Sequence, residues 1–197
     1  MLLSVGYKEA MGALAVLIAL IAYGIYGWQT ITGQARPHPL SWVIFGILTG
    51  TGYLVQLDQD AGAGSWVMGV TAAICFILAA MSVHKGERKF PWYEWAFLLA
   101  AAVVFLFYLS TKEPTYSAVL ATLVDVLGYG PTLTKAWSRP ATDSVTSFAM
   151  NSLKFVPSIF AMNSFSIATC LYPATLIVVN AGVACLLIWR RRLLPTV

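Results

Sequence analysis

Two ionisable side chains stand where the surrounding sequence is otherwise apolar: Asp125 within the stretch 115–137 and Lys154 within 144–163. Asp125 lies 13 residues before Ser138 and Lys154 lies 11 residues after Asp143. At 1.5 Å per helical residue, both sit about 17–20 Å from the loop between those residues. A charge at the centre of a bilayer costs about 2.5–3.5 kcal/mol on insertion scales, so each needs an opposite charge, a change of protonation or water. A carboxyl so placed is suited to taking up and releasing a proton, and an ammonium to holding a carboxylate. The two either form a structural ion pair between their segments, or face each other directly or through a solute.

Helical spacing supplies neighbours. Tyr129 follows Asp125 by one turn and Asn151 precedes Lys154 by three residues, so each pair shares a helical face. Asn180 lies in the middle of the apolar stretch 166–189. The candidate set is Asp125 as the proton-carrying group, and Lys154, Asn151, Asn180, Tyr129 and Tyr26 as solute-binding groups. Tyr53 and Gln56 are further wall residues. Buried amides also tie helices together, which leaves a structural alternative for Asn151 and Asn180. Beyond Tyr129, Pro131 has no N–H and frees the carbonyl four residues earlier. With Gly128 and Gly130 it makes a candidate hinge, the alternative being a static kink.

Nothing in the chain reads as a nucleophile with its base or as a metal site. Cys75, Cys170 and Cys185 lie in apolar stretches without metal-ligand spacing, and His38 and His84 stand at loop edges. The expectation is a protein that is not an enzyme and needs no cofactor or metal.

The elements that must hold these residues follow from composition. Of 197 residues, 59% are hydrophobic and 10% charged, with a mean hydropathy of +0.76. Soluble domains carry about 25% charged residues, so an ordinary soluble protein, a disordered chain and a nucleic-acid binder are all excluded. The net charge of +4 reads as membrane orientation and not as an anionic partner. Apolar segments fall at about 10–31, 40–57, 64–84, 92–111, 115–137, 144–163 and 166–189, each bounded by charge, Pro or Gly. The first exceeds a signal-peptide core in length and is read as a membrane helix. The fold class is then an all-α membrane protein with seven transmembrane helices; six is the alternative, because the last boundary is weak.

Charge sets the orientation. Arg36, Lys85, Arg88, Lys89, Lys135, Arg139 and Arg190 to Arg192 share one side, against Lys8 and Lys112 on the other. The N-terminus is expected outside and the C-terminus in the cytoplasm, of a plasma (inner) or organellar membrane. Arg190 to Arg192 are expected to anchor lipid headgroups and do nothing more. Asn163, Trp92, Tyr93 and Trp95 are expected at the interface.

An internal repeat organises the segments. At an offset of 103, Tyr26 pairs with Tyr129, Gly27 with Gly130, Arg36 with Arg139, Pro37 with Pro140, Ser41 with Ser144 and Phe45 with Phe148. The expected plan is 3+1+3: a three-helix repeat over 1–90, a linker helix over 91–113, and a second, parallel three-helix repeat over 114–197. Ala22 and Thr51 stand opposite Asp125 and Lys154, so packing such a unit does not itself require the two charges.

The stretch Gly130-Pro-Thr-Leu-Thr-Lys-Ala-Trp-Ser-Arg-Pro-Ala-Thr-Asp-Ser144, with its degenerate copy over Tyr26 to Ser41, resembles the helix-end motif of the PQ-loop and SWEET transporters. Thr132 stands where that motif has Gln, and Trp28 where the first copy has Pro. The resemblance implies a secondary transporter working by alternating access. It implies an acidic proton-coupling residue at Asp125, as in the lysosomal cystine transporter branch, a lysine near substrate at Lys154 and a substrate-binding Asn at Asn180. The implied partners are a small polar solute, amino-acid-like or anionic, together with protons and membrane lipids. A passive SWEET-type sugar carrier and a non-transporting receptor on the same scaffold are the alternatives. A retinal photoreceptor on Lys154 is disfavoured by the repeat and by the position of the lysine.

Overall fold

The computed structural model describes residues 2–33, 39–85, 92–138, 140–142 and 144–193. Arg36, His38, Arg88, Lys89, Arg139 and Asp143 lie outside the described residues, and for His84, Lys85, Pro131 and Lys135 only the backbone is described. The helices are α1 (Leu2–Ile31), α2 (Pro39–Asp58), α3 (Trp66–Lys85), α4 (Trp92–Thr111), α5 (Pro114–Gly128), α6 (Gly130–Ser138), α7 (Val145–Leu153), α8 (Phe155–Phe160) and α9 (Ile167–Leu193). Short 3-10 turns cover Gly62–Ser65 and Pro140–Thr142. No strand occurs among the described residues.

Five spans, Gly6–Ile31, Pro39–Asp58, Gly62–Val83, Trp92–Thr111 and Ile167–Leu193, are long and apolar enough to cross a membrane. Exposed Leu17, Ile77, Leu106 and Val178 give these helices the apolar outer face that a hydrocarbon solvent requires. This is an all-helical integral membrane protein.

The other two apolar segments, expected as single helices over 115–137 and 144–163, are each broken. α5 and α6 meet at Tyr129, whose N–H turns back to the Val126 carbonyl at 3.1 Å. Pro131 cannot donate to the Leu127 carbonyl, and flanking glycines tolerate the departure. α7 and α8 meet at Lys154. Pro157, which the sequence reading passed over, withholds the same bond from the Leu153 carbonyl. α9 contains Pro173 and yet runs unbroken. Gln56 on α2 donates from Nε2 to the Thr169 carbonyl at 2.9 Å, supplying across the helix interface the donor that Pro173 lacks. Leaving a buried backbone carbonyl without a donor costs about 1–3 kcal/mol, so this one side chain bears directly on the continuity of α9.

Packing is ordered. α3 lies against both α1 and α2, whose backbones do not approach each other closely, and α9 lies in the same way against α5 and α7. Between the two groups α1 packs on α7 and α8, and α2 packs on α5; α4 rests on α2 and α5. Fully buried Ala15, Ala19, Ala101 and Ala121 permit these close helix approaches.

The two ends differ. At one, the 3-10 turn Gly62–Ser65 is locked against the end of α8. Asn163 N–H donates to the Ala61 carbonyl at 3.0 Å, Ser164 Oγ to the Gln59 carbonyl at 2.5 Å and Lys8 Nζ to Asn163 Oδ1 at 3.2 Å. A Cβ on Gly64 would stand 2.5 Å from Met162 Cγ, so the seam closes only around glycine. Asn163, expected simply as interfacial, is thus a central part of it. At the other end Arg190 Nε donates to the Trp137 carbonyl at 2.9 Å, with its guanidinium 4.4 Å from the Trp137 ring centroid. Arg191 Nε donates to the Pro140 carbonyl at 3.0 Å. The expectation that this basic run only anchors lipid is therefore corrected: Arg190 satisfies a carbonyl in the last turn of α6, where the helix dipole favours a cation.

Candidate functional site

Lys154 stands at the junction of α7 and α8, its backbone still in the helical region and its N–H bonded to the Met150 carbonyl at 3.0 Å, with the side chain turned inward. It is 1% exposed. Its Nζ donates to the Tyr23 hydroxyl at 2.6 Å and lies 4.3 Å from the Tyr23 ring centroid and 4.8 Å from that of Phe155. Such contacts with desolvated cations contribute about 2 kcal/mol, which offsets part of the burial. Asp125 on α5 is 3% exposed. The two do not form an ion pair within 4.0 Å. They instead face one cavity of about 80 Å³ and act on each other through space.

The cavity wall mixes rings and polar atoms. Trp42 on α2 stands edge-on to Tyr23, with centroids 6.1 Å apart, and Phe45 stands edge-on to Trp42 at 6.2 Å. Thr71 and Cys75 on α3, Asn151 on α7, and Tyr172 and Asn180 on α9 complete it. Gly52 makes room for Tyr172, since a Cβ there would lie 2.9 Å from the ring. Among the described residues Asn151 Oδ1 and Tyr172 Oη are buried without a hydrogen-bond partner, while Thr71 stands against the Tyr23 hydroxyl. Leaving such a group unsatisfied costs about 1–3 kcal/mol, and a polar solute in the cavity would relieve both at once.

Asp125, Lys154, Asn151, Asn180 and Tyr129 of the expected set all line this cavity. Asn180 faces Tyr129 while its Nδ2 donates to the Leu176 carbonyl of its own helix at 2.8 Å. Tyr26 does not line the cavity: its ring packs 5.2 Å from Trp42, one layer behind the wall. Tyr53 packs over Gly69, and Gln56 is committed to Thr169. Gly128 borders a second, lateral cavity. Tyr23, Trp42, Thr71, Phe155 and Tyr172 were missed. Tyr23, three residues before Tyr26, was the one within reach of helical spacing. Thr71 carries no signal in the sequence, since only the packing of α3 against α2 aims it inward.

The chain matches no family model, and neither a curated protein nor a solved structure is significantly similar to it.

Proposed function

We propose that this chain is a secondary transporter of a small zwitterionic or anionic solute, in which Lys154 holds the carboxylate and Asp125 exchanges a proton in each cycle. The observation that carries the reading is the convergence of one carboxyl, one ammonium and two unpartnered polar atoms on a cavity sized for a few heavy atoms. A structural ion pair would have no use for the space between its charges. Protonation neutralises Asp125 and removes its pull on Lys154, freeing the ammonium for the solute.

The finer architecture belongs to this proposal: two parallel three-helix repeats, 1–90 and 114–197, joined by α4, with the N-terminus outside and the C-terminus cytoplasmic in a plasma or inner membrane. Access alternates when α6 and α7 swing about the breaks at Tyr129 and Lys154 while the seam at Gly62 to Asn163 opens in turn. The resemblance of 130–144 to the PQ-loop and SWEET motif fits this scheme.

The test is uptake of radiolabelled glycine, alanine, glutamate and lactate into proteoliposomes with and without an inward acid gradient. At least one solute accumulates with the gradient, and Asp125→Asn abolishes the dependence on pH. Gradient-indifferent uptake that is unchanged in Asp125→Asn would overturn the mechanism. In a parallel assay, uptake of radiolabelled glucose and of none of these four would favour the passive carrier, to which the aromatic wall also lends support. Stabilisation by a solute without any flux would favour a receptor.

A further inference from the structure

A second cavity, of about 190 Å³, lies between α2, α4 and α5. Ser41 and Glu94, in the first turns of α2 and α4, and Thr132 on α6 mark its outer part; Leu48, Val124 and Asp125 mark its inner part. From Ser41 to Leu48 is about 10 Å of helix at 1.5 Å per residue. Phe45 and Asp125 line both this cavity and the central one, so the partition between them is an aromatic ring and a carboxyl. A ring blocks a solute, whereas a carboxyl accepts a proton on one oxygen and releases it from the other. The volume holds several waters, each about 30 Å³ in the liquid.

We propose that Asp125 receives its proton through this lateral cavity, with Glu94 as the acid at its outer part, so that proton and solute reach the site by different routes. This rests on the reading of the chain as a proton-coupled transporter. A proton held on the Glu94 carboxyl passes along water to the Asp125 carboxylate, and Glu94 is reprotonated from the membrane face at which α2 and α4 begin. Among the described residues Asp125 is the one carboxyl facing the central cavity. Around it stand Tyr23 of α1, Cys75 of α3, Glu94 and Tyr93 of α4, Tyr129 at the end of α5, Lys154 between α7 and α8, and Tyr172 of α9. From α2 only uncharged side chains face it. Gly128 and Thr132 also border the lateral cavity, so a swing of α6 would change its width along with access to the solute.

The experiment starts from a variant with Cys75, Cys170 and Cys185 replaced by alanine, reconstituted in liposomes. Val124→Cys, on the lateral cavity, is compared with Leu123→Cys, on the lipid-facing side and 53% exposed. A water-soluble methanethiosulfonate ethylammonium reagent needs a hydrated thiolate, so Val124→Cys is labelled about tenfold faster than Leu123→Cys. In the otherwise native chain Phe97→Trp, which narrows the cavity, lowers acid-driven alanine uptake several-fold and leaves alanine exchange at symmetric pH within about a factor of two. Glu94→Gln keeps the shape, flattens the pH dependence of uptake, and covers the case in which Phe97→Trp fails to fold. Equal labelling of the two cysteines, or an unchanged pH dependence in Glu94→Gln, would overturn the separate route. If the unaltered protein shows no acid-driven uptake of alanine or of the other three solutes, the transporter reading falls and this route with it. If it does, and only the lateral variants are silent, the route alone falls.

Discussion

The first three apolar segments and the last three pack in the same order, yet among the described residues only the last three carry buried charge, and only they have a helix interrupted within the segment. α1 and α2 run without interruption past Ala22 and Thr51, whereas α5 stops at Gly128 and α7 stops at Leu153, beside Asp125 and Lys154. Proline accounts for the contrast. The described interiors of α1, α2 and α3 hold none, while the second half holds Pro131, Pro157 and Pro173. Two of these coincide with breaks. The third does not, because Gln56 reaches from the unbroken half to satisfy the carbonyl that Pro173 leaves without a donor. One half has continuous helices, and the other, packed against it, has its helices interrupted close to the two buried charges.

The sharpest way to break this comparison is to treat Lys154 and Thr51, equivalent at the offset of 103, alike. Lys154→Met removes a charged hydrogen-bond donor from the solute, a loss of about 2–3 kcal/mol, or roughly a hundredfold in transport at 1.36 kcal/mol per tenfold. Thr51→Ala removes a hydroxyl that only bonds the Ile47 carbonyl of its own helix at 2.8 Å, and uptake stays within a few-fold. Similar losses in both variants, measured as initial rates in proteoliposomes, would end the distinction between the two halves.

Glycine tests the bends. A Cβ on Gly128 or Gly130 would meet nothing within 4 Å, and the same holds for Gly24 and Gly27. The double change Gly128→Ala, Gly130→Ala favours helix by about 0.5–1 kcal/mol per site, so it raises the unfolding temperature while slowing transport about tenfold. Gly24→Ala with Gly27→Ala in the unbroken α1 gives a similar thermal gain and little change in rate. Slowing of both to the same degree would show that stiffness anywhere, and not at the break, limits the cycle.

The smallest effect is expected at the contact between the halves. Gln56→Ala exposes the Thr169 carbonyl at a cost of about 1–3 kcal/mol, a fall in midpoint of several degrees at about 2–4 °C per kcal/mol for a chain of this size. Hydrogen exchange would rise selectively around Pro173 in α9. A uniform rise along the helix would remove Gln56 as the specific reason for its continuity.

Legibility followed the physics of each signal. Hydropathy marked every apolar segment to within a few residues at most ends, because burial in lipid demands a long unbroken run of apolar side chains. α1 begins earlier than the apolar run, at Leu2, since helical hydrogen bonding continues past the point where hydropathy ends. The Gly128 to Pro131 irregularity could be read because three unusual residues cluster there. Pro157 stood alone in an apolar run and went unnoticed. Asp125 and Lys154 were conspicuous because charge is so rare in these segments. Tyr26 was misplaced by one layer, since helical spacing gives a face but not the identity of the side chain that a neighbour pushes in front of it.

The amino-acid sequence alone determined that the chain is helical, that it lives in hydrocarbon, and that two charges must find company at its centre, for these follow from composition, period and the cost of desolvation. Whether those charges touch or only share a space was decided by tertiary structure. So were the capture of Lys154 by Tyr23, the rescue of Pro173 by Gln56 and the second task of the terminal arginines. Each depends on side chains from different helices arriving within a few ångströms, a distance that no local pattern along the chain encodes.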